Sequence, residues 1–187
     1  MRIALLSNPS SGRGRHAAAD DVARRILTEA GHEVLHVRGS SYEQARDAGR
    51  ALLGDGPHRN VEALVVVGGD GMVHLGVDIV ATTGVPLGIV ATGTGNDIAR
   101  HFGLPSRDAA ASARLINQAL SGKGAITAVD AIYASRPDGT LLAPQRRWSL
   151  AVVSAGVDAA VNARANTLSW PAGEGRYVRA FTAELAT

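Results

Sequence analysis

Apolar residues come in short dense runs, separated by longer stretches in which they recur every three or four positions. RIALLS (2–7), HEVLHV (32–37), VEALVVV (61–67) and VPLGIV (85–90) are runs of strand length. VEALVVV is so nearly all-apolar that it predicts a strand covered on both faces, as in a parallel sheet. Between the runs the period changes. Val22, Ile26 and Leu27 mark a helix from about Arg15 to Ala30, residues 42–53 form a second that ends near Gly54, and Val73, Val77 and Val80 mark a third from about Met72 to Ala81. GTGND leads into a short helix ending before Gly103, and SRDAAASARLINQAL (106–120) reads as a further helix with Ser106 as its N-cap. This alternation predicts an α/β fold: a doubly wound parallel sheet with right-handed crossovers.

After Gly124 the texture changes. AITAVDAIYAS (125–135), TLLA (140–143) and RWSLAVVSAGVDAAV (147–161) read as strands, with a Pro-Asp-Gly turn at 137–139. The tail GRYVRAFTAELAT reads as a helix whose Tyr177, Val178, Phe181 and Leu185 share one face, a core-packing face rather than a bilayer-seeking one. We therefore expect residues 1–124 to form an α/β domain and 125–187 the start of an antiparallel β domain. The second stretch is thin for a sheet with its own core, so that domain is expected to be incomplete or very small.

Composition narrows the function classes. The 187 residues can bury a full core, and no apolar stretch approaches the length of a membrane span. MRIALLSNPSSGRG opens with one basic residue and a short apolar run but has no small-residue cleavage site, so it reads as a first strand. The absence of cysteine excludes a disulfide framework or thiolate metal site and fits a reducing cytoplasm. A net charge of +2 gives no argument for nucleic acid. The local cluster Arg13, Arg15, His16, Arg24 and Arg25 could favour a phosphate group, but charge alone favours a solvated helix face.

The candidate chemistry lies in three loops. NPSSG (8–12), GGDGMVH (68–74) and TGTGND (92–97) follow the first, third and fourth strands. In a parallel sheet all carboxyl ends lie along one edge, where ligands bind near a topological switch point. Gly68, Gly69 and Gly71 can take positive φ and let backbone N–H groups approach phosphate oxygens, and the helix after them points its positive end the same way. Ser10, Ser11, Thr92 and Thr94 add hydroxyls, while Asn8 and Asn96 can shape the loops or bind a nucleotide. Asp70 would repel bare phosphates, so it implies a magnesium ion or a hydroxyl to deprotonate, and Asp97 can serve the same ion through water. Any one loop could equally be a plain strand-to-helix turn with an Asx-type aspartate; three on one edge favour a shared phosphate site. There is no GxxxxGK[ST]. GRGRHA (12–17) fits G-x-G-x-x-A, with Arg38 ending the second strand, but NPSS lengthens that turn and the fingerprint leaves GGDG and GTGND unexplained.

VVVGGDGMVH together with PLGIVATGTGNDIARHFGLP resembles the lipid kinase family that includes diacylglycerol kinases, sphingosine and ceramide kinases and bacterial YegS-type enzymes. NPSSGRGR and VSAGVDAAVNARAN (153–166) fit the same pattern, so the resemblance runs over nearly the whole chain. It implies an ATP-binding α/β domain similar to NAD kinases and phosphofructokinases, followed by a β-sandwich carrying the lipid site. It also implies ATP held by Asn8, Pro9, Ser10, Ser11 and Gly12, by Gly68, Gly69, Asp70, Gly71, Met72, Val73 and His74, and by Thr94, Gly95 and Asn96. A water-bridged Mg2+ network would touch Asp70, Asp97 and Asp130. The sequence departs from the family where Thr and Asn usually follow GGDG: Met72 and His74 stand there. Losing the Thr hydroxyl removes a phosphate donor worth about 1 kcal/mol. His74 reads as a polar substitute rather than a metal ligand, because Asp78 is its only partner at ligand spacing. Family members also run further, and the bacterial diacylglycerol kinases carry a general base and a metal site in that late segment. In the sphingosine kinase branch the aspartate matching Asp70 is the proposed base.

The resemblance thus implies transfer of the ATP γ-phosphate to a lipid hydroxyl, of diacylglycerol or a sphingoid base, with Asp70 as catalytic residue. The expected setting is cytoplasmic with peripheral contact at a membrane surface, without a transmembrane segment or nucleic acid, and with a homodimer left open. A non-catalytic nucleotide-binding module is the alternative that Met72 and an incomplete second domain favour. An NAD kinase shares GGDG but not the GTGNDIARHFGLP continuation, and a Rossmann oxidoreductase ranks last.

Overall fold

The computed structural model describes residues 1–7, 15–39, 41–54, 60–136, 138, 148–150, 156–171, 173 and 175–185, excepting the side chains of residues 15–17 and 38. The chain runs β1 (Arg2–Ser7), α1 (Arg15–Glu29), β2 (Glu33–Arg38), α2 (Tyr42–Leu53), β3 (Ala63–Gly68), α3 (Asp70–Val80), β4 (Leu87–Ala91), α4 (Asp97–His101) and α5 (Ala109–Leu120). The first four strands form one parallel sheet in the order β2-β1-β3-β4, the α/β fold that the sequence pattern predicts. From β1 the chain winds outward to β2, then returns to add β3 and β4 on the other side. The topological switch point therefore lies between β1 and β3.

Residues of β3 alternate between two apolar layers, which explains why this strand is buried at every position. Leu64 and Val66 join Ala4 and Leu6 against α2 and α3. Val65 and Val67 join Ile3 and Leu5 against α1 and α5. Each fully buried Val, Leu or Ile contributes about 1.5–3 kcal/mol of transfer free energy, so these central strands dominate the stability of the sheet.

Helix starts differ from the pattern in two places. The third helix begins at Asp70, not Met72; an aspartate in the first turn suits the positive helix terminus. The fifth begins at Ala109, and Asp108 rather than Ser106 is its N-cap, its carboxylate accepting from the Ala111 N–H at 2.8 Å. Arg107 has a φ of 60°, which no helix continues through, and Ser106 instead forms a bridge with Ala91.

The C-terminal third corrects the strand reading more strongly. Among the described residues of this third, only β5 (Ile132–Tyr133) and β6 (Trp148–Ser149) pair, antiparallel, with the rings of Tyr133 and Trp148 in contact. TLLA lies outside the described residues. Residues 157–161, expected in a strand, begin the helix α6 (Val157–Thr167). A run rich in Ala, Asn and Arg has no strong β preference, and Val161 and Ala165 one turn apart supply the buried stripe of a helix. The tail forms α7 (Gly175–Leu185), as expected. Its apolar face is not the buried one: Tyr177, Val178, Phe181 and Leu185 are exposed. Ala180 is buried instead, packing with Val161 and Ala165, where small side chains let the two helices approach closely. Arg164 pairs with Glu184 across the same helix pair. The chain divides into two compact units, Met1–Ala151 and Val152–Thr187. Among the described residues no helix is long and apolar enough to cross a membrane.

Candidate functional site

Strand register brings the loop positions level. Ser7 stands opposite Val67, and Gly68 opposite Ala91. The loops after β3 and β4 then touch directly. The Thr92 N–H donates to the Gly68 carbonyl at 2.9 Å. A Cβ placed on Gly93 would lie 2.5 Å from Cα of Gly69 and 2.8 Å from Oδ1 of Asn96, so a side chain there has no room. Gly68 is closed off in the same way by Met72, whose Cγ would stand 2.4 Å from an added Cβ. None of Gly68, Gly69 and Gly71 has positive φ, contrary to expectation; Gly69 is extended at φ −90°, ψ −169°. Close packing, not left-handed backbone, is what requires glycine at 93, and it favours glycine at 69, where an added Cβ would lie 3.2 Å from Cα of Gly93. Around the Cβ position of Gly71 the space is open.

Gly69 caps α3 without a side-chain hydrogen bond, which leaves the helix terminus accessible to anionic oxygens. Asp70, in the first turn, turns one carboxylate oxygen to the neighbouring loop, where Oδ1 accepts from the Ile98 N–H at 3.1 Å. It thereby caps α4, whose own N-cap residue Asn96 makes no side-chain cap bond. Asp70 Oδ2 and Asp97 Oδ2 lie 3.3 and 3.2 Å from the Cβ position of Gly95, so the two carboxylates converge on one glycine. Asp97 also pairs with Arg100.

Asn96 is 2% exposed and left-handed at φ 54°, a conformation that asparagine tolerates better than most residues. Its Nδ2 donates to the Gly93 carbonyl and to Ser106 Oγ, both at 2.9 Å, while its Oδ1 is buried with no partner among the described residues. Thr94 is exposed, and its carbonyl accepts from the Arg107 guanidinium at 2.7 Å. Ser106 and Arg107, which hold this loop, have no motif in the sequence; only the fold shows that the turn before α5 returns to β4.

The remaining candidates divide. Val73 is core and Met72 packs against the core. His74 sends Nδ1 toward the Asp70 carbonyl at 2.9 Å and Nε2 toward the Leu150 carbonyl at 3.0 Å, so both ring nitrogens are engaged by backbone oxygens. Asn8, Pro9, Ser10, Ser11 and Gly12 lie outside the described residues, as do Arg13 and the side chains of Arg15, His16 and Arg38. Asp130 is exposed in the stretch before β5, and among the described residues no group of three or more His, Asp or Glu side chains could hold a metal ion. Arg24 pairs with Asp21, both exposed, in keeping with a solvated helix face. At the carboxyl ends of β1 and β2 a cavity of about 70 Å³ is lined by Ser7, Ser41, Tyr42, Met72 and Leu75. The Arg2 guanidinium is held above its usual pKa by its hydrogen bond to Glu33 and by that carboxylate's charge, at the opposite edge of the sheet.

A family model described as the diacylglycerol kinase catalytic domain matches residues 2–131. Proteins named diacylglycerol kinase from two strains of Mycobacterium tuberculosis, CDC 1551/Oshkosh and H37Rv, are 34% identical to this chain over 185 residues. That match takes in 99% of this chain and 55% of theirs, so the chain spans about half the length of these relatives. The crystal structure of a diacylglycerol kinase from Bacillus anthracis strain Sterne aligns at a TM-score of 0.50 and 26% identity, covering 63% of this chain and 39% of that one. A second structure from the same strain aligns at 0.51.

Proposed function

This chain belongs to the diacylglycerol kinase catalytic domain family, and from that premise we propose that its paired glycine loops hold the phosphates of ATP for transfer to a lipid hydroxyl. The observation that carries the reading is the backbone contact between Gly69 and Gly93, which joins the GGDG turn and the GTGN loop into one cradle. In the transfer, the lipid hydroxyl oxygen bonds to the γ-phosphorus as the bond to the β–γ bridging oxygen breaks, and ADP leaves. Asp70 takes the hydroxyl proton. Its Oδ1 is committed to Ile98, which fixes the side chain and leaves Oδ2 for that role. Asn8 to Gly12, which follow β1 in the sequence, are the further residues we propose to contact ATP.

Toward a magnesium ion the described residues offer two carboxylates and a separate amide oxygen, fewer than the three acidic or imidazole groups of an all-protein site, so water and the nucleotide's phosphates would complete the shell. Asn96 Oδ1 is a buried acceptor without a hydrogen-bond partner among the described residues, and Asp70 and Asp97 bring two carboxylates together at Gly95. These groups, with Asp130 through water, would hold it, and when bound it neutralises developing phosphate charge. The acceptor class we propose is a diacylglycerol or sphingoid base presented at a membrane surface.

A second reading, a nucleotide-binding module without turnover, draws on Met72, whose side chain packs against the core where a hydroxyl is usual. Radiolabelled ATP offered with diacylglycerol, with a sphingoid base and with NAD separates the readings. Label in a lipid product supports the kinase. Tight ADP binding with no labelled lipid supports the module, and label in NADP overturns the lipid assignment.

A further inference from the structure

We propose that Arg107 is a positioning residue for the nucleotide, bracing residues 92–97 in the shape that meets the GGDG turn. This inference rests on the nucleotide reading above. Arg107 is left-handed at φ 60°, a conformation disfavoured for any residue with a Cβ. Such backbone persists where its surroundings over-determine it. The Arg107 N–H donates to the Ala91 carbonyl at 2.8 Å, and its guanidinium donates to the Thr94 carbonyl at 2.7 Å. One residue thereby grips both the end of β4 and the exposed crown of the loop. Next to it, Ser106 bridges to Ala91 and receives the Asn96 amide at 2.9 Å, which ties down the far end of the same loop. Two left-handed residues, Asn96 within the loop and Arg107 in the turn before α5, thus stand at its two anchor points, Asn96 tied to Ser106 ten residues on and Arg107 to Ala91 and Thr94. Held this way, Gly93 stays against Gly69 before any ligand arrives. Arg107 makes no ion pair among the described residues. A planar guanidinium can hold a carbonyl and still present further N–H donors to phosphate oxygens, which a lysine ammonium does with less geometric definition.

The test uses the 187-residue chain with two measurements, calorimetric binding of ADP and amide hydrogen exchange without nucleotide. In Arg107→Ala, ADP binds about tenfold more weakly, the scale of one lost charge-assisted hydrogen bond, and the amides of residues 92–97 exchange faster. Arg107→Lys keeps the charge without the fork and shows the same faster exchange with affinity below wild type. Arg107→Gly retains left-handed backbone without strain and carries the test should the alanine variant not fold. Wild-type affinity in these variants overturns the proposal, as does full rescue by lysine. Weakened binding with unchanged exchange also overturns it, because Arg107 would then act on the ligand alone. A wild-type chain that binds no ADP refutes the nucleotide reading itself, whereas wild-type binding with unaffected variants removes only the role of Arg107.

Discussion

Asp70 Oδ1 accepts the Ile98 amide while Oδ2 faces Asp97 across Gly95, so structure and chemistry fall on different atoms of one carboxylate. Asp70→Asn keeps an acceptor oxygen for Ile98 but cannot take a proton. Phosphoryl transfer is expected to fall by at least about a hundredfold, the lower range for a lost general base, with a melting temperature close to wild type; an Asn variant with full turnover would remove Asp70 from the chemistry. Gly93→Ala must push against Gly69 backbone from 2.5 Å. It should cost about 1–3 kcal/mol in denaturant unfolding and weaken ADP binding, and unchanged values for both would show that the loops yield freely. The glycine pattern was legible in the sequence, but its reason was not. Positive φ is a local property that a motif can suggest, whereas the Gly69–Gly93 contact joins two loops separated by α3 and β4. Ser106 and Arg107 were illegible on the same ground, since their partners Ala91, Thr94 and Asn96 are set by tertiary folding.

At the scale of elements, the strands of the parallel sheet could be read from apolar runs because burial on both faces leaves few polar positions in them. Helix α3 shows what such runs conceal. Its Asp78 is 3% exposed and accepts from the Arg50 guanidinium of α2 at 3.3 Å, and the same guanidinium reaches the Asp78 carbonyl at 3.0 Å. Arg50→Met takes both bonds from a buried aspartate and should destabilise the fold by about 1–3 kcal/mol in urea; a variant as stable as wild type would mean that Asp78 is satisfied without Arg50. The misreading of residues 157–161 has a physical cause as well. A short Val- and Ala-rich run satisfies both the strand and the helix period, and pairing with Ala180 of α7 decides it.

For the whole molecule, the sheet order places the switch point between β1 and β3, and every described loop of the candidate site leaves the carboxyl edge beside it. That edge was predictable from strand-helix alternation alone, because connection handedness fixes where the strand ends fall. The family match covers the same sheet, and the chain spans about half the length of the curated relatives it matches. The central claim is that one cradle, built from the GGDG turn and the GTGN loop, holds a nucleotide's phosphates. Amide NMR during titration of the 187-residue chain with ADP and Mg2+ tests it most directly. The account predicts that the amides of Gly68, Gly69, Gly71, Gly93 and Gly95 shift together and saturate at one ligand concentration. Saturable shifts confined to other parts of the chain, with these glycines unmoved, would contradict it.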